Sequence, residues 1–173
     1  MIKRSLILLA TLLLISAPLE AQKHGRGGEI PVYKEISGFN EVKEVLPQAS
    51  ELVKANEVWH KIVDKGGAVI GYCMSSKPYS DGIEGYHGTT PVIIILDKEK
   101  RIKKITLLSH YETQAYVNIL KQKKFFSSWE GKTIKEAMNS KASADSYSGA
   151  TITATAIRRN IDILLRKANE NKI

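Results

Sequence analysis

The sequence predicts an α+β fold in which an antiparallel sheet packs against helices, and two segments carry that expectation. Pro91-Val-Ile-Ile-Ile-Leu96 is continuously apolar, as a well-buried strand would be. After a turn at Asp97–Lys100, the chain returns over Arg101–Ser109 with Ile102, Ile105 and Leu107-Leu108 among basic residues. Together these runs make a central antiparallel hairpin. Near the other end, Ile152, Ala156, Ile157, Ile161, Leu164, Leu165 and Ala168 recur at three- and four-residue steps, which marks the apolar face of a helix over Ile152–Ala168.

The remaining elements follow in chain order. Met1–Arg4 is basic, Leu6–Ile15 is apolar, and Ser16–Ala21 turns small and polar. This is the pattern of a secretory signal, expected to be removed near Ala21. The apolar run is shorter than the roughly 20 residues that span a bilayer as a helix. Residues 22–37 read as a flexible N-terminal segment and 38–173 as a single domain. Phe39, Val42, Val45 and Leu46 suit a short helix ended by Pro47. Ser50–Asp64 fits two descriptions, since Leu52, Ala55 and Trp59 suit a helix while Val58–Val63 suits a strand. Lys65-Gly66-Gly67 turns the chain into a strand at Ala68–Met74. Ser75–Thr90 is polar and glycine-rich, and its Gly82-x-x-Gly85-Tyr86-x-Gly88 spacing brings backbone close to whatever docks there. Helices are expected at Glu112–Leu120 and Thr133–Met138, with Phe125, Phe126 and Trp129 closing the core between them. On the last helix, Asp162 and Arg166 are spaced to pair across one turn.

Composition narrows the function classes. An apolar fraction of 43% and a charged fraction of 25% describe an ordinary globular chain. Its one cysteine, Cys73, lies in an apolar strand and reads as a buried free thiol. The net charge of +8 would suit nucleic acid, but export, the lack of interleaved aromatics and the lack of zinc-ligand spacing argue against it. A basic exported surface suits an acidic protein partner or an anionic membrane surface. His24 and His60 lack partners at ligand spacing, so no metal site is expected, and no Gly-x-Ser-x-Gly elbow supports hydrolysis.

Asp145-Ser146-Tyr147-Ser148-Gly149-Ala150-Thr151 is the most informative segment. Two readings of its residues stay open. Ser148, Thr151 and Thr153 can be ordinary helix caps, worth about 1 kcal/mol each. Alternatively, Gly149 and Ala150 clear space for an anion, particularly a phosphate, at the start of the last helix. Neither a P-loop nor a dinucleotide glycine spacing is present.

The segment resembles the Asp-x-x-(Ser/Thr)-Gly-Ala-(Thr/Ser) flavinylation motif of the extracytoplasmic FMN-binding domain family. That family includes flavin subunits of Na+-translocating NADH:quinone reductase and Rnf complexes, and the flavin domain of nitrous-oxide-reductase regulators. Asp145, Ser148, Gly149, Ala150 and Thr151 match position by position. Gly85-Tyr86-His87-Gly88 resembles the family's Gly-Tyr-x-Gly segment, and His110-Tyr111-Glu112-Thr113 resembles its His-x-Glu-Thr segment. Phe125–Lys132, ending Trp-Glu-Gly-Lys, resembles the family's Phe…Gly-Lys element before the flavinylation turn. Where many electron-transfer subunits continue with Pro-Gly-Leu-Gly, this chain has Gln114-Ala-Tyr-Val117.

The resemblance spans residues 71–166 and implies FMN bound covalently through its phosphate to Thr151, the phosphothreonyl-FMN of the family. It implies a pocket that includes Asp145, Ser148, Gly149, Ala150, Tyr86, Gly88, His110, Glu112 and Thr113. It further implies a flavin transferase for maturation and a membrane or extracytoplasmic redox protein as electron-transfer partner. An electron carrier fits this best; a flavin-dependent sensory module and a non-catalytic binding domain are the alternatives. No residue is expected to be catalytic in its own right.

Overall fold

The computed structural model describes residues 38–140, 147 and 149–173, so the signal and the N-terminal segment lie outside the described residues. The fold is α+β. Strands β1 (Glu51–Lys54), β2 (His60–Val63), β3 (Val69–Ser75), β4 (Val92–Leu96) and β5 (Ile102–Leu107) form one sheet in the order β1-β2-β3-β4-β5, each neighbour antiparallel. Helix α1 (Phe39–Val45) precedes the sheet, and α2 (Gln114–Gln122), α3 (Ile134–Met138) and α4 (Thr151–Glu170) follow it.

The segment with two descriptions folds as two short strands and a turn. Asn56 decides this, because its Oδ1 accepts the backbone N–H groups of Val58 and Trp59, both at 2.9 Å. A side chain that captures its own downstream amides competes with helix formation and reverses the chain. The Leu52, Ala55 and Trp59 spacing is therefore not helical.

Strand β4 explains its own apolar run. Val92, Ile94 and Leu96 join the core beneath α4, whereas Ile93 and Ile95 join a second cluster with Val42, Ile62, Cys73 and Leu108. All five β4 residues are fully buried because hydrophobic clusters cover both faces of the sheet. Burial also pushes the Cys73 thiol up to about 12, in keeping with an unreactive packing role.

The larger core closes on Phe125 and Trp129, both fully buried, while Phe126 packs partly exposed at its margin. Phe125 meets Phe126, Trp129 and Tyr147 edge-on at centroid distances of 5.3, 5.3 and 5.0 Å. Helix α3 starts with a reciprocal capping box between Thr133 and Glu136. On α4, Asp162 meets Arg158 at 3.4 Å, so its ion partner lies one turn before it, where the sequence reading offered Arg166 one turn after. Among the described residues, no helix is long and apolar enough to cross a membrane.

One polar residue interrupts the α4 stripe. Asn160 is fully buried and donates to the Thr90 carbonyl at 3.1 Å and the Ala156 carbonyl at 3.2 Å. Its Oδ1 accepts from Ser80 Oγ at 2.7 Å, and Ser76 Oγ in turn accepts the Val92 N–H at 2.8 Å. The loop between β3 and β4 is thereby fastened to the middle of α4. Replacing Asn160 with Ala strands the Thr90 carbonyl in a dry site and cuts the tie to Ser80, whose hydroxyl keeps the Ser76 carbonyl at 2.8 Å. The expected loss is about 2–4 kcal/mol in urea unfolding, and a loss within about 0.5 kcal/mol would mean the network contributes nothing.

Candidate functional site

Helix α4 begins at Thr151, and its start is built by backbone geometry. Tyr147 is anchored in the aromatic cluster. Gly149 then adopts φ +86°, a left-handed conformation that suits glycine. The Ala150 N–H donates to the Tyr147 carbonyl at 2.8 Å, and Ala154 donates to the Ala150 carbonyl at 2.8 Å.

Ala150 therefore occupies the capping position, where it has no side chain able to accept a bond. The cap reading of Thr151 is corrected here: Thr151 is the first helical residue. Its hydroxyl turns back to the Tyr147 carbonyl at 3.4 Å. By helix geometry the first-turn N–H groups at Thr151, Ile152 and Thr153 have no intrahelical acceptor, and the Ala150 side chain at the capping position offers them none. The result is a partly positive helix end.

The hydroxyls at this end differ sharply. Thr151 is exposed. Thr153 is buried and donates to Glu112 Oε2. Thr155 donates to the Thr151 carbonyl at 2.8 Å. Asp145 and Ser148 lie outside the described residues.

Gly149, Ala150 and Thr151 line a cleft of about 230 Å³ together with Ile152, Thr153, Tyr86 and Tyr116. Tyr86 forms its aromatic wall, edge-on to Tyr116 at 5.6 Å and to His87 at 4.5 Å. The wall is open to solvent, since Tyr86 is 51% exposed. A larger cleft of about 300 Å³, between Trp59, Lys100, Ile134 and Ala168, contains none of the described residues of the 145–151 motif.

Glu112, Thr113, His110 and Gly88 do not line this cleft, although Glu112 bonds Thr153, which does. The Glu112 carboxyl is buried, with Oε1 accepting the His87 N–H at 2.8 Å and Oε2 accepting Thr153. Thr113 stands at the start of α2, where its carbonyl accepts the Tyr116 N–H at 2.9 Å. Gly88 takes φ +117° in the turn whose Gly85 N–H meets the Gly88 carbonyl at 2.7 Å. His110 Nδ1 accepts the Glu112 N–H at 3.1 Å, which places the proton of a neutral ring on Nε2.

Two cleft residues were not singled out as site residues from the sequence. Tyr116 falls inside the helix expected at Glu112–Leu120, and the structure sets it on the first turn of α2, after Thr113 at the capping position. Ile152 was counted in the apolar stripe, but it is 57% exposed at the cleft. The inner face of α4 begins instead at Thr153 and Ala154. Among the described residues, no group of three or more His, Cys, Asp or Glu side chains could hold a metal ion.

Residues 85–166 match the family model described as the FMN-binding domain. No curated protein matches the chain.

Burial depresses the pKa of His110 below the ordinary 6.5, against the opposing pull of Glu112. Burial does the same at His60. In both cases the unfolded chain takes up the proton first, so stability present above pH 6.5 falls as pH drops below it. NMR titration is expected to give His110 a midpoint below 6.5. A midpoint above it would contradict the neutral, acceptor role of Nδ1.

Proposed function

From the premise that residues 85–166 carry an FMN-binding domain, we propose that this chain is an exported flavoprotein with FMN esterified through its phosphate to Thr151. It relays electrons to or from a membrane or extracytoplasmic redox protein. The observation that carries this reading is the position of Thr151: an exposed threonine that is the first residue of a 20-residue helix and lines an aromatic cleft.

The residues fit the group. The first-turn N–H groups and partial positive charge of α4 suit a phosphate. Gly149 and Ala150 keep the approach free of bulk, and Tyr86 with Tyr116 offers ring edges and faces to a planar aromatic system. FMN supplies the redox chemistry when bound, and the protein sets its orientation and solvent access. In attachment by the flavin transferase, Thr151 Oγ attacks the flavin-side phosphorus of a flavin dinucleotide: the Oγ–P bond forms as the pyrophosphate P–O bond breaks, the nucleoside monophosphate leaves and the hydroxyl proton passes to solvent. Thr153 is a poor competitor because its hydroxyl is buried and already donated to Glu112. A tether of this kind suits a carrier that leaves the cytoplasm, since its cofactor then cannot diffuse away. The leader pattern at Met1–Ala21 supports export, and the net charge of +8 supports docking to an acidic partner.

Intact-mass analysis of the chain produced with a flavin transferase tests the assignment. The parent is expected to gain the mass of one FMN less one water, Thr151→Ser to retain some modification, and Thr151→Ala to gain none. An unmodified parent, under conditions that modify a known acceptor, sinks the covalent reading. Modification that persists in Thr151→Ala moves the attachment elsewhere.

A further inference from the structure

We propose that Glu112 is a positioning residue that sets the spacing between the Tyr86 wall of the cleft and the Thr151 hydroxyl. The proposal rests on the reading of this cleft as the FMN site. One buried carboxyl reaches both sides: Oε1 takes the His87 N–H at 2.8 Å, next to Tyr86, and Oε2 takes the Thr153 hydroxyl, two residues from Thr151. The Tyr86 ring packs against His87 itself, so the position of this amide governs the ring.

The packing around the carboxyl shows how closely this tie is drawn. A Cβ on Gly85 would stand 2.5 Å from Glu112 Oε1 and 2.9 Å from its Cδ, so only glycine lets the loop come this near. Glu112 is held in turn through its own N–H, which donates to His110 Nδ1. The other fastening of the β3–β4 loop to α4, at Asn160 and Thr90, lies seven residues beyond Thr153. At the helical rise that is about 10 Å along the axis, too far to fix the tip of the loop. Glu112 therefore joins two elements that carry different parts of the site, without itself lining the cleft.

The test breaks the tie at its α4 end and reads the result at the loop. Thr153→Val keeps the shape and removes the hydroxyl, and Thr153→Ser restores it. In the flavin-free chain, Thr153→Val is expected to speed amide exchange at His87 at least ten-fold, while amides 157–165 of α4 stay protected and report an intact fold. A tyrosine beside an isoalloxazine quenches its fluorescence by electron transfer. The FMN lifetime on the chain should therefore lengthen several-fold in Thr153→Val, return in Thr153→Ser, and show no further change when Thr153→Val is added to Tyr86→Leu. Unchanged His87 exchange in Thr153→Val overturns the proposal. So does a lifetime change that persists undiminished without Tyr86. Mass analysis of the same samples reads covalent attachment separately. An unesterified parent sinks the Thr151 linkage, and the lifetimes are then read on FMN added to the chain, where the same two outcomes decide for or against Glu112.

Discussion

Ala154, Ile157, Ile161, Leu164 and Leu165 are withdrawn from water where α4 lies across the sheet, against Val92, Ile94 and Leu96 of β4. Burial of each large side chain contributes about 1.5–3 kcal/mol, whereas a missing helix cap costs about 1 kcal/mol. The packed stripe therefore outweighs the missing capping side chain many times over. That imbalance lets α4 start from Ala150, which has no capping side chain, and the geometry of the site depends on it.

The polar contacts do a different job from the apolar ones. Asn160 fastens the β3–β4 loop at mid-helix, and Glu112 fastens its tip near the first turn. Both side chains are buried and satisfied, as polar groups in a dry interior must be. Hydrophobic burial alone would leave the loop free to slide over α4. Directional bonds at two levels give it one position, and Tyr86 is carried on that loop.

Much of the site was legible because its chemistry is written locally. The Gly149-Ala150-Thr151 sequence dictates a clear approach and a hydroxyl at a helix start, and the structure places all three in one cleft with Tyr86. Two features were not legible. Whether Thr151 caps the helix or begins it turns on a single residue of register, which propensity does not resolve. The exposure of Ile152 depends on which way α4 is rotated over the sheet, and an apolar residue next to an apolar stripe gives no warning of it.

By itself the sequence determined the α+β class, the central hairpin and the long last helix, because periodicity and turn chemistry act over a few residues; Thr151 stood out only through the resemblance of its segment to a flavinylation motif. It left Ser50–Asp64 open, since the spacing of three apolar residues fits a helix as well as the Asn56 turn that forms. Only the tertiary structure brought Glu112 against Thr153 and His87, contacts that span 41 and 25 residues of chain. It alone separated the exposed Thr151 from the buried Thr153. The physical reason is that burial belongs to the assembled sheet and helices, and no local pattern encodes which neighbour a side chain will meet.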